Sequence, residues 1–317
     1  MSTSEIVPGQ YIDEYRLLRR LGQGNNSEVY LGEHPRLDHP VAVKLLYART
    51  EEREIQRFLT QSAMLSKLDH PHIIHIYNFG LTYSGTPYLV MSYAPQGTLR
   101  QRYPRGTRLP LPQVGNYVNQ LADALQYVHE HQLVHRDVKP QNMLLDSEGQ
   151  IILNDFGTAI TSYSLIPNVV DFEGTVLYAA PEQLEGRSLR SSDQYALAIM
   201  TYELLCGAWP FIGTFDEVTR KHLFEQPPTL FSRGIEVAPG VDEVLQRALA
   251  KEPVERFPSI QDFAIALTET YMPAATPGPQ GQFPQQEPQT PLPVSQVSPL
   301  IRKQFRSPLP FRQAFGE

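Results

Sequence analysis

Cysteine, positive charge and long apolar runs are all scarce in this chain. It has one cysteine, Cys206, among 317 residues, so an internal disulfide framework is excluded and a reducing compartment is indicated. Acidic residues outnumber basic ones by 34 to 27, which argues against nucleic acid as the main partner. The most apolar run, Tyr195–Ile212, contains Glu203 and is too short and too polar for a membrane span. It predicts a buried helix, with Cys206 in the core.

The two ends of the chain lack targeting signals and folded-domain composition. Residues 1–10 have neither a basic start nor an apolar core, so they are not a secretion signal. Residues 272–317 hold ten of the 28 prolines and many glutamines, a composition that favours disorder or extended polyproline segments. We expect a cytoplasmic protein with no transmembrane span in this chain. The alternative is that the chain is part of a longer, membrane-anchored protein.

Hydrophobic periodicity between the two ends predicts an α+β pattern, with strands and one helix in the first part and a series of helices in the second. After an N-terminal tail, residues 1–12, a small β-rich lobe with one helix covers residues 13–95 and a larger helical lobe covers residues 96–271. The predicted strands of the first lobe are Tyr15–Leu21, Glu28–Gly32, Pro40–Leu46, Ile73–Phe79 and Pro87–Tyr93, and its helix is Glu51–Leu68. Helices are predicted in the second lobe at Val114–His131, Ser191–Leu205, Phe215–His222, Val241–Ala250 and Ile260–Tyr271.

Two short motifs carry the chemistry. The first, H-R-D-x-K-P-x-N, spans His135–Asn142, and the second, D-F-G, is Asp155-Phe156-Gly157. Phosphoryl transfer needs a carboxylate to orient the attacking hydroxyl and further oxygen ligands for Mg²⁺. Asp137, Asn142 and Asp155 are residues of these types in the right order. The chain therefore resembles the eukaryotic-like serine/threonine protein kinases of bacteria, and the resemblance implies their bilobal fold over residues 13–271.

A glycine-rich stretch, Gly22–Val29, precedes these motifs. It is followed by a strand rather than a helix, which argues against a dinucleotide-binding fold, and no G-K-[ST] follows, which excludes a P-loop. The resemblance implies that this loop and Lys44, in the V-A-x-K strand, bind the phosphates of ATP. It implies contacts to ATP from Leu21, Gly22, Gly24, Val29, Ala42, Lys44, Met91, Tyr93, Ala94 and Leu144, with Met91 as gatekeeper and Tyr93 and Ala94 as hinge.

Two positions depart from the family pattern. The third glycine of the loop is Ser27, and the helical glutamate that pairs with the lysine of the family falls on Gln61. A neutral partner makes a weaker hydrogen bond to lysine than a carboxylate does, by about a factor of two. These departures favour a second interpretation, a nucleotide-binding pseudokinase that acts as a scaffold.

The resemblance also implies roles in the transfer itself. Asp137 is expected to orient the acceptor hydroxyl, Lys139 to neutralise the γ-phosphate, and Asn142 and Asp155 to hold Mg²⁺. His135 is expected to pack beneath the loop in a hydrophobic spine with Leu65, Tyr77 and Phe156. The only cofactors predicted are ATP and Mg²⁺.

Further residues are predicted to regulate or support the site. By resemblance, Arg136 binds an activation-loop phosphate, and Asp171 is a candidate to replace that phosphate in part, with a solvated aspartate as the alternative. Thr175 is expected to contact the catalytic loop and favour Ser/Thr acceptors. The structural residues implied are Glu182 paired with Arg256, and Asp193 bonded to the backbone of the catalytic loop.

Other interpretations are less well supported. The cluster of His70, His72 and His75 has no cysteine nearby and lies at a turn where the family carries H-P, so a metal site there is disfavoured. A small-molecule kinase is disfavoured because Thr175 and the A-P-E segment suit a protein acceptor. The expected partners are protein substrates, and a homodimer is a candidate arrangement for autophosphorylation.

Overall fold

The computed structural model describes residues 9–24, 27–47, 52–156 and 176–272. Asp171 and Thr175, and residues 273–317 of the proline-rich segment, lie outside them.

One antiparallel sheet forms the first lobe. Its strands are β1 (Tyr11–Ile12), β2 (Tyr15–Gln23), β3 (Ser27–Glu33), β4 (Val41–Leu46), β5 (Ile76–Leu81) and β6 (Pro87–Ser92), in the spatial order β1-β2-β3-β4-β6-β5. Because side chains alternate between the faces of a strand, Val41, Val43 and Leu45 lie on one face while Ala42 lies on the other. The first face buries an outer cluster, and Ala42 joins the main core that continues into the second lobe.

A single long helix packs on the inner side of the sheet. Helix α1 (Glu52–Leu65) buries Ser62 and Leu65 and begins with acidic residues, which suit the positive end of the helix dipole. It contacts β5 and β6. This arrangement brings Gln61, near the end of α1, to the half-buried side of the helix.

Helices dominate the second lobe. They are α2 (Leu99–Arg102), α3 (Leu111–Glu130), α4 (Pro181–Leu184), α5 (Arg190–Cys206), α6 (Phe215–Phe224), α7 (Pro239–Ala248) and α8 (Ile260–Glu269), with a two-stranded ribbon of β7 (Met143–Leu145) and β8 (Ile151–Leu153). Helix α5 is buried from Ser192 to Cys206, as its apolar sequence predicts. It ends at Gly207, whose φ of 78° and approach to the Gly106 carbonyl exclude a side chain.

The predicted bilobal α+β fold is confirmed. The predicted helices and strands of both lobes are found, with ends that differ by a few residues. Strand β1 lies within the segment 1–12 that we expected to be a tail: Ile12 pairs with Tyr15, and the Gly9 N–H donates to the Leu17 carbonyl. No helix within the described ranges is long and apolar enough to cross a membrane.

Candidate active site

The backbone of the H-R-D segment is hydrogen-bonded to one buried carboxylate, that of Asp193. It follows α3 and precedes β7, and Arg136 adopts a φ of 71°, a left-handed backbone conformation that is costly for a residue with a side chain. The Asp193 carboxylate, buried at the start of α5, accepts hydrogen bonds from the N–H groups of His135 at 2.9 Å and Arg136 at 2.7 Å. His129 adds a third contact, with its Nε2 2.8 Å from Asp193 Oδ2. Asp193 therefore stabilises a strained backbone from which the next residue, Asp137, projects.

The side chains predicted to carry the transfer converge on Asp137. Its Oδ2 lies 2.8 Å from Lys139 Nζ and accepts a hydrogen bond of 2.7 Å from Asn142 Nδ2. The same amide nitrogen donates to the Asp137 carbonyl at 2.8 Å. Because the nitrogen of Asn142 is used in this way, its amide oxygen is the atom of this side chain that can ligate a cation.

Asp155 lies at the junction of the lobes and faces Lys44 from β4. The Lys44 Nζ donates to Asp155 Oδ1 at 2.9 Å across 111 positions in the sequence. Asp155 has a φ of 64°, and backbone strain of this kind concentrates at functional sites. Asp155 remains 37% exposed, so this ion pair is open to a ligand rather than sealed in the core.

Backbone contacts join the two loops. The N–H of Asn154, next to Asp155, donates to the Asn142 carbonyl at 2.9 Å, and the Asn154 carbonyl lies 3.1 Å from His135 Nε2. The His135 ring, fully buried, meets the Phe156 ring edge-on at 4.9 Å. As a result, Asp137, Asn142 and Asp155 belong to one connected frame.

The spine prediction is right for two neighbours and wrong for Tyr77. Leu65 and Phe156 are buried in the main core, but Tyr77 is 39% exposed and its ring meets that of His75 edge-on. The reason is the register of β5, which is irregular between Ile76 and Asn78, so that Ile76 takes the buried position.

The residues predicted to sandwich adenine line one continuous apolar surface. Ala42 and Met91 are direct cross-strand partners buried in the main core. Leu21, Val29 and Leu144 are half-buried and pack against the same core. The predicted hinge, Tyr93 and Ala94, follows β6 and precedes α2; Tyr93 is half-buried and Ala94 buried.

Gly22 and Gly24 are at the described base of the glycine-rich loop. A side chain on Gly22 would meet no atom within 4 Å, so the backbone there is open to a phosphate. The Gly24 N–H donates to the Ser27 carbonyl at 2.8 Å, closing the loop on itself. Ser27, at the position of the third glycine, thus participates in the turn.

The donor set suits Mg²⁺ rather than a softer metal. Mg²⁺ prefers a few carboxylate and carbonyl oxygens together with waters and substrate phosphates. Asp155 supplies two carboxylate oxygens, and Asn142 supplies its amide oxygen. No cluster of three His, Cys, Asp or Glu residues that could hold a metal occurs in the described part of the chain, which includes His70, His72 and His75.

The guanidinium group of Arg136, next to Asp137, is only partly hydrogen-bonded to the residues that the structure describes. Its Nε is buried and has no hydrogen-bond partner among the residues that the structure describes. Burial lowers the pKa of Arg136 below its ordinary value, while Asp193 opposes the shift. Its predicted partner, Asp171, is outside the described residues.

Gln61 lines an open cavity on α1 together with Arg53 and Arg57.

The predicted Glu182–Arg256 pair is present and fully buried. Arg256 donates from Nη1 and Nη2 to the two carboxylate oxygens of Glu182, at 2.7 and 2.8 Å. Burial alone would raise the pKa of Glu182, but the hydrogen bonds and charge of Arg256 outweigh it and the pKa is lowered. Helix α4 is thereby fixed to the end of the domain.

Two contacts at the site were missed by the sequence analysis. His129 lies on α3, where a single histidine on a buried helix face gives no signal of its partner, Asp193. Glu28 accepts hydrogen bonds from Arg20, Tyr30 and Tyr47. The only signal in the sequence for these contacts was the place of Glu28 as a polar residue within a predicted β-strand.

Comparison with known proteins agrees with this geometry. Residues 15–267 match the protein kinase domain family. The chain is 38% identical over 277 residues to the serine/threonine-protein kinase PknF of Mycobacterium tuberculosis, covering 83% of this chain and 57% of PknF. It is 36% identical over 254 residues to the serine/threonine-protein kinase PrkC of Bacillus subtilis, covering 78% and 39%. For the serine/threonine-protein kinase PknB of Mycobacterium leprae, the identity is 33% over 276 residues, covering 84% and 44%.

The chain therefore belongs to the protein kinase family, and its similarity is to the bacterial serine/threonine kinases of eukaryotic type. Its sequence spans about half the length of the curated relatives it matches.

Proposed function

We propose that this chain is an active serine/threonine protein kinase that transfers the γ-phosphate of ATP to hydroxyl groups of proteins, itself included. The observation that carries the proposal is the convergence of Lys139 and Asn142 on Asp137, at 2.8 and 2.7 Å. Such a preformed arrangement lowers the barrier because the groups need not be brought together during the reaction.

Each residue then has a distinct task. Asp137 accepts a hydrogen bond from the acceptor hydroxyl and takes its proton. The hydroxyl oxygen bonds to the γ-phosphorus as the bond from that phosphorus to the β-phosphate oxygen breaks, and ADP leaves. Lys139, already beside Asp137, neutralises charge on the transferred phosphoryl group. Lys44 binds the α- and β-phosphates, and Asp155, the ion-pair partner of Lys44 in this structure, would hold the metal.

Asp155 and Asn142 would hold Mg²⁺, which would supply positive charge to neutralise the phosphates. The apolar surface of Leu21, Val29, Ala42, Met91 and Leu144 would take the adenine ring. The backbone of Tyr93 and Ala94 would offer hydrogen bonds to its edge.

The neighbouring arginine provides a regulatory contact. The buried Nε of Arg136 suits an anionic group of the activation segment. Asp171 is our candidate for that group, with Thr175 nearby in sequence as the residue that selects Ser/Thr acceptors. We place the enzyme in the cytoplasm, with protein substrates and with homodimers as the arrangement for autophosphorylation.

Transfer of labelled γ-phosphate is the decisive test. The purified full chain is incubated with Mg-ATP and a generic basic protein, beside Asp137→Asn, which keeps a similar shape but cannot accept the proton. We expect label on Ser or Thr and a loss of about 10²–10⁴-fold in the variant. Nucleotide binding without any label in the wild-type chain would instead establish the pseudokinase interpretation that Gln61 and Ser27 favour.

A further inference from the structure

Three hydrogen-bond donors converge on Glu28, the residue that follows Ser27 at the end of the glycine-rich loop. Arg20 Nη1 donates to Glu28 Oε1 at 2.8 Å. The hydroxyls of Tyr30 and Tyr47 both donate to Oε2, at 2.9 and 2.8 Å. We call Glu28, Arg20, Tyr30 and Tyr47 the Glu28 cluster. The Glu28 side chain is only 15% exposed.

The cluster joins the three strands around the nucleotide site. Arg20 lies on β2 and Tyr30 on β3, the two strands that the glycine-rich loop connects. Tyr47 directly follows β4, three residues after Lys44. Gln23 pairs with Glu28 across the base of the loop. The cluster therefore ties both sides of the loop to the strand that carries Lys44.

The Glu28 cluster lies on the face of the sheet opposite the apolar surface. Tyr30 is buried in the outer cluster of the sheet, whereas Val29 and Leu21 pack against the main core. Adjacent residues of a strand point to opposite faces, so Glu28 and Tyr30 share the outer face. Glu28 thus acts on bound phosphates only through the backbone, which makes it a positioning residue.

The protonation states strengthen these contacts. The hydrogen bond from Tyr47 is the largest effect that lowers the pKa of Glu28; burial opposes it, and Tyr30 and Arg20 add to it. Burial raises the pKa of Tyr47, and Glu28 raises it further. At neutral pH an ionised carboxylate therefore accepts from two protonated phenols and a guanidinium, and such charge-assisted bonds are roughly twice as strong as neutral ones.

Hydrogen bonds restrain the glycine-rich loop at both of its described ends. A flexible loop must lose conformational freedom to bind phosphates, and a loop that is fixed beforehand loses less. Here the Gly24 N–H is bonded to the Ser27 carbonyl, and Glu28, the next residue, is held by three donors. The backbone at the end of the loop is restrained from both sides.

We propose that the Glu28 cluster pre-organises the glycine-rich loop and thereby sets the affinity of this chain for nucleotide, with Glu28 and Tyr47 as positioning residues. The inference rests on the proposed function only in assuming that nucleotide binds under this loop, since it concerns affinity and not transfer.

Tyr47→Phe removes one hydrogen bond and preserves the ring. We expect the dissociation constant for Mg-ADP, measured by calorimetry on the full chain, and KM for ATP to rise roughly three- to tenfold. KM for the acceptor protein and kcat at saturating ATP should stay within about twofold. Tyr83→Phe, at a fully exposed tyrosine in the turn between β5 and β6, is the matched control and should leave both nucleotide constants unchanged.

A second variant separates positioning from stability. Glu28→Gln keeps the size of the side chain but loses the charge, and should weaken Mg-ADP binding at least as much as Tyr47→Phe. In the double variant the two losses should be less than additive, because both disrupt one cluster. Wild-type Mg-ADP affinity in both single variants, with or without a lower Tm, would overturn the proposal.

Measuring nucleotide binding does not require phosphoryl transfer, so the proposed function and the proposal about the Glu28 cluster can be contradicted separately. A wild-type chain that binds Mg-ADP but transfers no label contradicts the proposed function, while the variants still test the Glu28 cluster. Normal transfer together with unchanged affinity in the variants contradicts only the Glu28 cluster.

Discussion

Two ion pairs in this chain, each between a basic side chain and a carboxylate, lie in different surroundings. At the lobe junction, Lys44 and Asp155 are 19% and 37% exposed, and Lys44 Nζ lies 2.9 Å from Asp155 Oδ1. Near the end of the domain, Arg256 and Glu182 are 0% and 2% exposed. All five N–H donors of Arg256 are used, two on Glu182 and the others on the carbonyls of Ala250, Ser191 and Lys251.

This difference separates the pair that supports the fold, Glu182–Arg256, from the pair that we propose takes part in the reaction, Lys44–Asp155. A buried charge must have every hydrogen-bonding group satisfied, since each unmet one is costly. An ion pair that has to accept a phosphate or a metal must instead be accessible and easily rearranged. Asp155 and Arg136 also have strained backbones, at φ of 64° and 71°, whereas neither Glu182 nor Arg256 does among the residues described.

The largest effect is expected from breaking the buried pair. Arg256→Met leaves the Glu182 carboxylate buried without its partner, and should lower the free energy of unfolding by about 3–5 kcal/mol. Urea denaturation measures this. The control is Arg187→Met, which removes the exposed pair with Glu185 and should change stability by less than about 0.5 kcal/mol. Equal effects of the two substitutions would contradict the distinction.

Breaking the Lys44–Asp155 pair at the lobe junction should have the opposite effect: a large loss of activity and a small loss of stability. Lys44→Met removes the cation that we propose binds the phosphates, so kcat/KM should fall about 10²–10³-fold. The free energy of unfolding should change by less than about 1 kcal/mol, because this pair is partly exposed. Parallel activity and urea measurements on Lys44→Met and Arg256→Met test the comparison directly. A loss of stability in Lys44→Met as large as that in Arg256→Met would contradict the distinction between the two ion pairs.

A buried histidine, His222, extends the comparison to the pH dependence of stability. Burial, and then the charge of Lys251, lower the pKa of His222 to about 3, and its Nδ1 is 2.9 Å from the Tyr195 hydroxyl. Below pH about 6.5 the unfolded chain binds a proton that the folded chain does not, so stability is lost as the pH falls towards about 3. Between pH 6.5 and 5 this loss is about 2 kcal/mol.

His222→Gln should flatten that part of the stability profile, measured by urea denaturation at successive pH values. His39→Gln, at an exposed position, is the control and should keep the wild-type slope. An unchanged slope in His222→Gln would mean that other groups cause the acid sensitivity.

The smallest effect is expected at Gln61. Gln61→Glu would offer Lys44 a charged partner, and a gain of ~1.4 kcal/mol at the transition state would raise kcat/KM about tenfold. Arg57 lies one helical turn before this position and lines the same cavity, so it competes for the new carboxylate. We expect the full gain in the double variant with Arg57→Ala, with Arg57→Ala alone as the control. Wild-type kcat/KM in the double variant would show that this position does not limit the rate.

Much of the fold was predictable because its signals are local. The strands β2, β3 and β4 follow from short β-branched runs between Gly, Asn and Pro. The burial of α5 follows from apolar residues on all its sides. Helix and strand ends moved by a few residues because capping and pairing, rather than periodicity, decide them.

Strand register was the main failure. Tyr77 and Ile76 are adjacent and both apolar, and a one-residue irregularity decides which of them enters the core. Strand β1 was missed because Tyr11–Ile12 is too short to give a periodic signal. Its pairing with β2 depends on a neighbour that only the folded sheet provides.

The sequence by itself determined the family, the bilobal fold and the identities of Asp137, Lys139, Asn142 and Asp155, because phosphoryl transfer tolerates few residue types at fixed spacings along one loop. Tertiary structure alone decided that Asp193 holds the backbone of His135 and Arg136, that Ile76 replaces Tyr77 in the core, and that Glu28 accepts hydrogen bonds from Arg20 on β2, Tyr30 on its own strand and Tyr47 after β4. These contacts join residues far apart in the chain or on a particular face of a strand. Their geometry is fixed by packing and register, which no local pattern of residues records.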